Sequence, residues 1–342
     1  MKEKKWDSEI ISLVAQIHEY KGRQEIYLKQ KPEELDKLIE IAKRQSTEAS
    51  NAIEGIRTTS TRLRQLCEEK TTPKNRDEEE ILGYRDVLNT IHENYEYIPI
   101  TTNYILQLHR DLYKYTEKSI GGHFKVSQNV IAATNEMGKE YVLFTPLAPY
   151  ETPSAIDAIC ENYNRMIENQ ELDTILLIPI FIHDFLCIHP FSDGNGRMSR
   201  LLTALLLYRS GYVVGKYVSI ESKIAKNKDL YYKALEDCQG GWHENKEDVT
   251  PFVKYMLRII LAAYRDFEER VELVSEKLPA KEMVRRAVYS KMGKLSKSDI
   301  TELCPSIGVK SVELAIKQLV EEGVLLKMGS GRATFYVRGD SK

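Results

Sequence analysis

The sequence predicts a mainly α-helical protein with a small α+β segment at its C-terminal end, and three observations carry that expectation. Residues 175–188 are apolar on nearly every face, as in a helix buried on all sides. Leu35, Leu38, Ile39, Ala42, Ala49, Ala52 and Ile53 fall on one stripe at helical spacing. From Lys281 onward the pattern becomes three short helical segments followed by two β-rich arms.

Taken along the chain, Pro32 suits the first turn of the striped helix and Gly55 suits its C-terminal stop. Glu54 then falls in the last turn, where the helix dipole disfavours a carboxylate; an arginine partner would relieve it. Residues 70–76 read as a break. Val130-Ile131 and Tyr141-Val142-Leu143-Phe144 have β character around the turn Thr134-Asn135-Glu136-Met137-Gly138. The apolar run 175–188 is interrupted by charge and too short for a membrane span. Pro190 cannot continue it, so His189 should stand at a helix end facing a loop. Phe191 should point into the core. A further helix runs through 201–208 and closes at Gly211. A long helix ends near Glu276, and Lys277-Leu278-Pro279-Ala280 marks a boundary. Beyond it, 281–291 looks helical, Ser296 caps a short helix, and 309–323 forms a third helix with Leu314, Leu319 and Val320 on its apolar face. Arms at 324–327 and 334–337 flank a Gly-Ser-Gly turn. Three helices and a hairpin suggest a winged helix. The expected domains are 1–75, 76–276 and 281–342.

Composition narrows the function classes. The 342 residues carry a formal net charge of −2, which is no global nucleic-acid signature. The charge is uneven: residues 281–342 hold twelve Lys/Arg against seven Asp/Glu, a net of +5, and the remainder is at −7. That asymmetry allows DNA contact, although Glu313, Glu321 and Glu322 lie on the candidate recognition helix, and winged helices also dock proteins. Five scattered cysteines without a CxxC read as reduced thiols rather than a disulfide frame or zinc site. Met1 to Lys5 is too polar for a targeting peptide. A cytoplasmic location without membrane association is expected.

The chemistry concentrates in His189-Pro190-Phe191-Ser192-Asp193-Gly194-Asn195-Gly196-Arg197-Met198-Ser199-Arg200. Gly194, Asn195 and Gly196 tolerate positive φ and let backbone N–H groups converge at a helix N-terminus, a seat for phosphate. Arg197 and Arg200 share a face of that helix. Two cations at a positive helix end make sense when a multiply charged anion binds there. Asp193 beside phosphates makes sense with Mg²⁺ between, since Mg²⁺ takes one or two carboxylates plus phosphate oxygens. An unperturbed histidine titrates near working pH, so His189 suits a general base. The combined reading is attack by a hydroxyl on a nucleotide phosphate.

This run resembles the signature of the Fic family, His-Pro-Phe-x-Asp/Glu-Gly-Asn-Gly-Arg-x-x-Arg, at every fixed position. The resemblance implies a Fic-type helical bundle with a β-hairpin flap, joined here to the winged-helix segment. It implies transfer of AMP from ATP to a hydroxyl side chain of a target protein. His189 would be the base and Asp193 the Mg²⁺ ligand. Gly194, Asn195 and Gly196 would hold the α-phosphate region, with Arg197 and Arg200 on the outer phosphates. Relatives that move phosphate instead carry Lys at the second glycine, so Gly196 favours AMP transfer. Residues 122–146 look like the flap, whose exposed edge would register an extended target segment by strand addition. The family often has Arg where this chain has Lys125, and no role is assigned to that lysine. Tyr231 and Tyr232, with Gln239 nearby, resemble the segment that covers the adenine. Ser50-Asn51-Ala52-Ile53-Glu54-Gly55 resembles the family's inhibitory motif: Glu54 would pair with Arg200 and deny the γ-phosphate its site. The same carboxylate could instead orient a water that removes AMP from modified targets. Self-modification and a homo-oligomer belong to the same expectation.

Two other classes compete. A DNA-binding regulator could use this domain as a nucleotide sensor, but a sensor has no need for His189 as a base. An HD-type metal phosphohydrolase is suggested only by His183-Asp184, which the surrounding apolar helix explains as packing.

Overall fold

A computed structural model describes residues 6–30, 32–117, 120–134, 140–275, 278–289, 291, 293–304 and 307–339. The expected flap turn at 135–138, the N-terminal 1–5 and Lys277 of the boundary lie outside these. In chain order the elements are α1 (Ser8–Gln30), α2 (Pro32–Ile53), α3 (Ser60–Cys67), α4 (Arg76–Asn94), α5 (Thr102–Leu112), β1 (Ile131–Thr134), β2 (Glu140–Phe144), α6 (Thr152–Glu168), α7 (Thr174–Ile188), α8 (Asn195–Arg209), α9 (Ile220–Lys226), α10 (Lys228–Gln239), α11 (Thr250–Ser275), α12 (Ala280–Tyr289), α13 (Lys297–Leu303), α14 (Val309–Glu321), β3 (Leu325–Met328) and β4 (Phe335–Arg338). The mainly helical class is what the sequence predicts. Among the described residues no helix is long and apolar enough to cross a membrane.

The helix ends follow local chemistry. Asn75 opens α4 by accepting the Glu78 N–H, and Asp173 opens α7 by accepting that of Ile175. α2 closes on a Schellman turn: the Ile56 N–H reaches Asn51 O, the Gly55 N–H reaches Ala52 O, and Gly55 takes φ +84°. Glu54 is therefore the residue just past the helix. Lys228 adds a cation there, donating from Nζ to Ile53 O at 2.7 Å.

The chain divides into two compact units, one of Met1–Glu19 with Ala42–Ala263, the other of Tyr20–Ile41 with Tyr264–Lys342. In the first, α7 packs on α6 and α8, and α4 packs on α5 and α8. Every face of α7 is lined, which accounts for its lack of a polar stripe. Phe181, Ile182, Phe185 and Ile188 of α7 and Leu201, Leu202 and Leu205 of α8 are all buried. β1 and β2 pair antiparallel, with Ala132 opposite Val142 and a bulge between Ile131 and Ala132.

In the second unit α12, α13 and α14 surround Val284, Ala287, Ile300, Val312, Ile316, Leu319 and Leu325. α13 carries a full capping box between Ser296 and Asp299. β3 and β4 pair antiparallel, each one residue later than the sequence pattern suggests, and Leu295 bridges to Tyr336. One expectation is corrected. Leu314 is 58% exposed, and the buried face of α14 is Val312, Ala315, Ile316 and Leu319. Those four repeat at i, i+3, i+4 and i+7, a better helical stripe than one through Leu314.

Buried histidines make the first unit acid-sensitive. Burial depresses His92 to about 3, and His109 and His189 to about 4. In the unfolded chain all three titrate near pH ~6.5. Between these limits the unfolded state binds up to three protons that the folded state refuses, so stability falls as pH falls through that window. Asp184 acts in the opposite sense. Burial holds its carboxyl up at about 6, so the folded chain accepts a proton there before the unfolded chain does. It offsets one histidine of the three. Urea midpoints should drop progressively from about pH 6.5 to 4; a flat profile would contradict the neutral-histidine core.

Candidate active site

His189 is the C-cap of α7 and sits in the left-handed region at φ 51°, ψ 62°. For a non-glycine residue this costs roughly 1–2 kcal/mol, so neighbouring contacts must hold it. The last carbonyls of α7 have no intrahelical donor, and the site uses them. Phe185 O accepts the His189 N–H at 3.0 Å, and Leu186 O lies 3.3 Å from His189 Nδ1. A carbonyl only accepts, so Nδ1 carries the proton and Nε2 keeps its lone pair. Burial is the main cause of the low His189 pKa, and Lys125 adds to it. The Leu186 carbonyl and the Glu54 carboxylate pull the other way. The ring is therefore neutral at physiological pH, the state a base requires.

The loop after His189 is cross-tied from within. Phe191 is fully buried and stacks on His109 with ring centroids 3.6 Å apart. His109 accepts the Gly122 N–H at Nδ1 and therefore donates from Nε2 to Asp193 O at 3.1 Å. The Asn195 amide spans the turn, accepting from Phe191 N at 2.9 Å and donating to Phe191 O at 2.7 Å. Its side chain shapes the loop from within. Gly194 at φ +84° caps α8, and a Cβ there would meet the Tyr113 hydroxyl at 2.9 Å. Asp193 is half-exposed and takes the Gly194 N–H on Oδ1, with Arg76 at 3.9 Å and Arg197 at 4.0 Å.

Arg197 is almost completely buried. Its Nη2 binds Glu80 at 2.8 Å and donates to Tyr113 Oη at 2.7 Å. Its Nε and Nη1 are buried without a hydrogen-bond partner among the described residues, a costly state for a guanidinium. Arg200, also buried, donates from Nε to Ser50 Oγ at 2.8 Å and from Nη2 to Ser50 O at 2.9 Å. The same Nη2 binds Glu54 Oε1 at 2.7 Å. A Cβ built on Gly196 would lie 2.2 Å from Glu54 Oε1. The Glu54 carboxylate thus rests on the first turn of α8, in the seat that backbone and dipole make attractive to an anion. That second helix end and Arg200 offset its unfavourable place at the end of α2.

Behind this pair lies a polar layer that the sequence did not single out. Ser46 donates to Glu221 Oε2 at 2.6 Å, and Tyr84 donates to Glu221 Oε1 at 3.3 Å. Both Ser46 and Ser50 lie on α2, so the helix is seated by buried hydrogen bonds as well as by its apolar stripe.

The fold and the loop agree with known proteins. The Fic/DOC family profile matches residues 99–207. Over that stretch the chain is similar to the Fic/DOC family. Protein adenylyltransferase Fic of Drosophila erecta is 27% identical over 217 residues, which cover 60% of this chain and 38% of that protein. The chain thus spans well under half the length of that curated relative. A Fic family protein from Desulfovibrio desulfuricans shares the fold at TM-score 0.61 and 20% identity, over 100% of this chain and 99% of that one. A Fic domain-containing signaling protein from Bacteroides thetaiotaomicron does so at TM-score 0.62 and 24% identity, over 79% and 100%.

Around the Fic loop the aromatic candidates divide. Tyr231 is buried against Phe252 and Tyr255, whereas Tyr232 is 42% exposed with Lys228 over its ring. Burial, with Glu54 adding, pushes the Tyr232 hydroxyl up to about 12, so it stays a neutral donor. Of the two rings, Tyr232 is the exposed one. Gln239 ends α10 half-buried, and no described contact ties it to the loop. His183 and Asp184 are engaged in packing: His183 is buried against Cys187, and Asp184 accepts from Trp242 Nε1 at 2.9 Å. Among the described residues no group of three His, Cys, Asp or Glu is placed to hold a metal. His109, Glu80, Lys125 and Asn129 support the loop, and the sequence alone assigns none of them a role. The groups they tie to the loop, Asp193, Arg197 and the backbone of 188–191, lie 60 or more residues away, so local sequence carries no signal for the role.

Proposed function

We propose that the chain is a self-inhibited protein adenylyltransferase. The observation that carries this reading is the conjunction of two helix ends: a neutral imidazole with Nε2 available at one, and an anion seat filled by the chain's own Glu54 at the other. In the proposed reaction a Ser, Thr or Tyr hydroxyl of a target attacks the α-phosphorus of ATP. The new O–P bond forms as the bond to the bridging oxygen of the leaving pyrophosphate breaks. His189 Nε2 takes the hydroxyl proton. Arg197 and Arg200 hold the outer phosphates, and the backbone N–H groups of Asn195 and Gly196 face the α-phosphate, the Gly194 N–H being held by Asp193. Asp193 is half-exposed at the rim of this seat, and a single carboxylate completed by phosphate oxygens suits Mg²⁺. Bound there, the ion would neutralise phosphate charge.

The target would lie along the hairpin β1–β2, whose strands pair only with each other among the described residues, beside exposed Tyr141 and Val142 on β2 and Val126 and Val130 in the segment before β1. With Glu54 in place, the Arg200 guanidinium is already paired, and ATP would bind in an unproductive pose. The test is incubation of wild type, Glu54→Gly and Glu54→Gly/His189→Ala with ATP and Mg²⁺, followed by intact-mass analysis. A gain of one AMP mass in the single variant alone supports the reading.

The second reading, a DNA-contacting regulator, is favoured by the basic bias of 281–342. It predicts a salt-sensitive duplex shift by the full chain. The exposed face of α14 mixes Lys310 and Lys317 with Glu313, Leu314 and Glu321. That mixture suits a protein contact better, so the expected result is no shift even at low salt.

A further inference from the structure

We propose that Lys125 and Asn129 form a clamp that sets the position of His189 and couples it to the target-docking hairpin. The proposal rests on the reading of His189 as the base. Four successive carbonyls of the reactive loop are held by these two residues. Lys125 Nζ donates to Ile188 O at 3.0 Å, and the Lys125 N–H donates to Pro190 O at 2.9 Å. Asn129 Nδ2 donates to His189 O at 3.4 Å and to Phe191 O at 3.1 Å. Lys125 Nζ also donates to Asn129 Oδ1 at 3.0 Å, which locks the two donors together.

The geometry answers a specific need. His189 is a non-glycine residue at positive φ, followed by a proline, and nothing within its own helix fixes its carbonyl. The Lys125 ammonium caps α7 at its negative end, where a cation is favourable. It is 2% exposed, and burial lowers it to about 8. A buried amine is an expensive way to satisfy one carbonyl unless its charge also matters. Lys125 and, with opposite sign, Glu54 are the charged groups that bear on the imidazole.

The same segment runs directly into β1. A target strand registering on the hairpin therefore pulls on the chain that holds the base. Docking and base placement become one event. Lys125 and Asn129 are positioning residues, acting through His189 and not on the phosphate.

The test follows the His189 imidazole by NMR in the full chain with labelled histidine. The signal is assigned by its loss in His189→Ala and compared among wild type, Lys125→Arg, Lys125→Met and Asn129→Ala. Wild type should show the Nδ1–H tautomer and no titration above about pH 5. Lys125→Met should raise the imidazole pKa and mix the tautomers, because both cation and cap are lost. Lys125→Arg should restore wild-type behaviour. Asn129→Ala keeps the cation, so the pKa should hold while the ring loses its single tautomer. In the Glu54→Gly background, Lys125→Met and Asn129→Ala should lower kcat about ten- to hundredfold with KM for ATP unchanged. Imidazole titration and tautomer identical to wild type in both folded variants would overturn the clamp. Should Lys125→Met fail to fold, Asn129→Ala decides alone, by the tautomer. Absence of AMP transfer in the Glu54→Gly parent would defeat the functional reading, while the imidazole titration would still decide the clamp.

Discussion

Glu54→Gly should raise AMP incorporation by about ten- to a hundredfold, the range of a coupling free energy of 1–3 kcal/mol between competing ligands of one site. The competition is geometric. Glu54 Oε1 takes Nη2 of Arg200 at 2.7 Å and lies 2.2 Å from where a Gly196 Cβ would be, so on the proposed reading the γ-phosphate and the carboxylate compete for one seat. Removing the carboxylate does not release the arginine. Ser50 still accepts from Nε through Oγ and from Nη2 through its carbonyl, so the guanidinium stays aimed. For that reason the variant should gain activity and not merely lose an ion pair. Glu54→Gln tests the electrostatic part. It keeps the bulk and removes the charge that the α8 terminus attracts, so its activity should fall between the two. Wild type and Glu54→Gly should also differ in ATP affinity by calorimetry. Equal affinity and equal incorporation would leave Glu54 an ordinary surface residue.

The sequence made some of this legible and hid the rest for definable reasons. Helices with a cap, a stripe and a stop, such as α2, follow from residues within a few turns of one another. His189 at a helix end follows from Pro190 alone. What the sequence could not supply is which side of a helix end meets which distant group. Glu54 reads as unfavourable on α2, and only the approach of α8 makes the carboxylate comfortable there. Arg197 reads as a phosphate ligand, yet its buried partner Glu80 lies on α4 with no spacing to announce it. Asn195 reads as a ligand in the signature run, and its amide instead closes the loop onto Phe191. Lys125 reads as a departure from a pattern, and its meaning appears only when four consecutive carbonyls are held by the segment that leads into β1. Leu314 was misplaced because a single leucine outweighed the spacing of Val312, Ala315, Ile316 and Leu319.

His189→Ala, placed on Glu54→Gly, should reduce AMP incorporation about 10² to 10⁴-fold, the contribution of a positioned general base. ATP binding should be unchanged, because in the proposed reaction the phosphates are held by α8 and its arginines while the imidazole faces the incoming hydroxyl. The pH profile of Glu54→Gly separates this role from a structural one. The His189 ring titrates at about 4 in the intact chain, and its neutral form is the active one. The rate should then hold level from about pH 8 to pH 5 and fall only below, whereas a histidine at its ordinary pKa would halve it near pH ~6.5. Glu54 raises the ring's pKa, so its removal moves the acid limb lower still. A limb near pH 6.5 would mean that the ring is solvated and its Leu186 contact broken when the enzyme works. A level profile in which His189→Ala costs nothing would mean that the hydroxyl loses its proton elsewhere. Only a level profile together with a large loss assigns the proton to Nε2, because burial keeps the ring neutral and the Leu186 carbonyl decides which nitrogen is free.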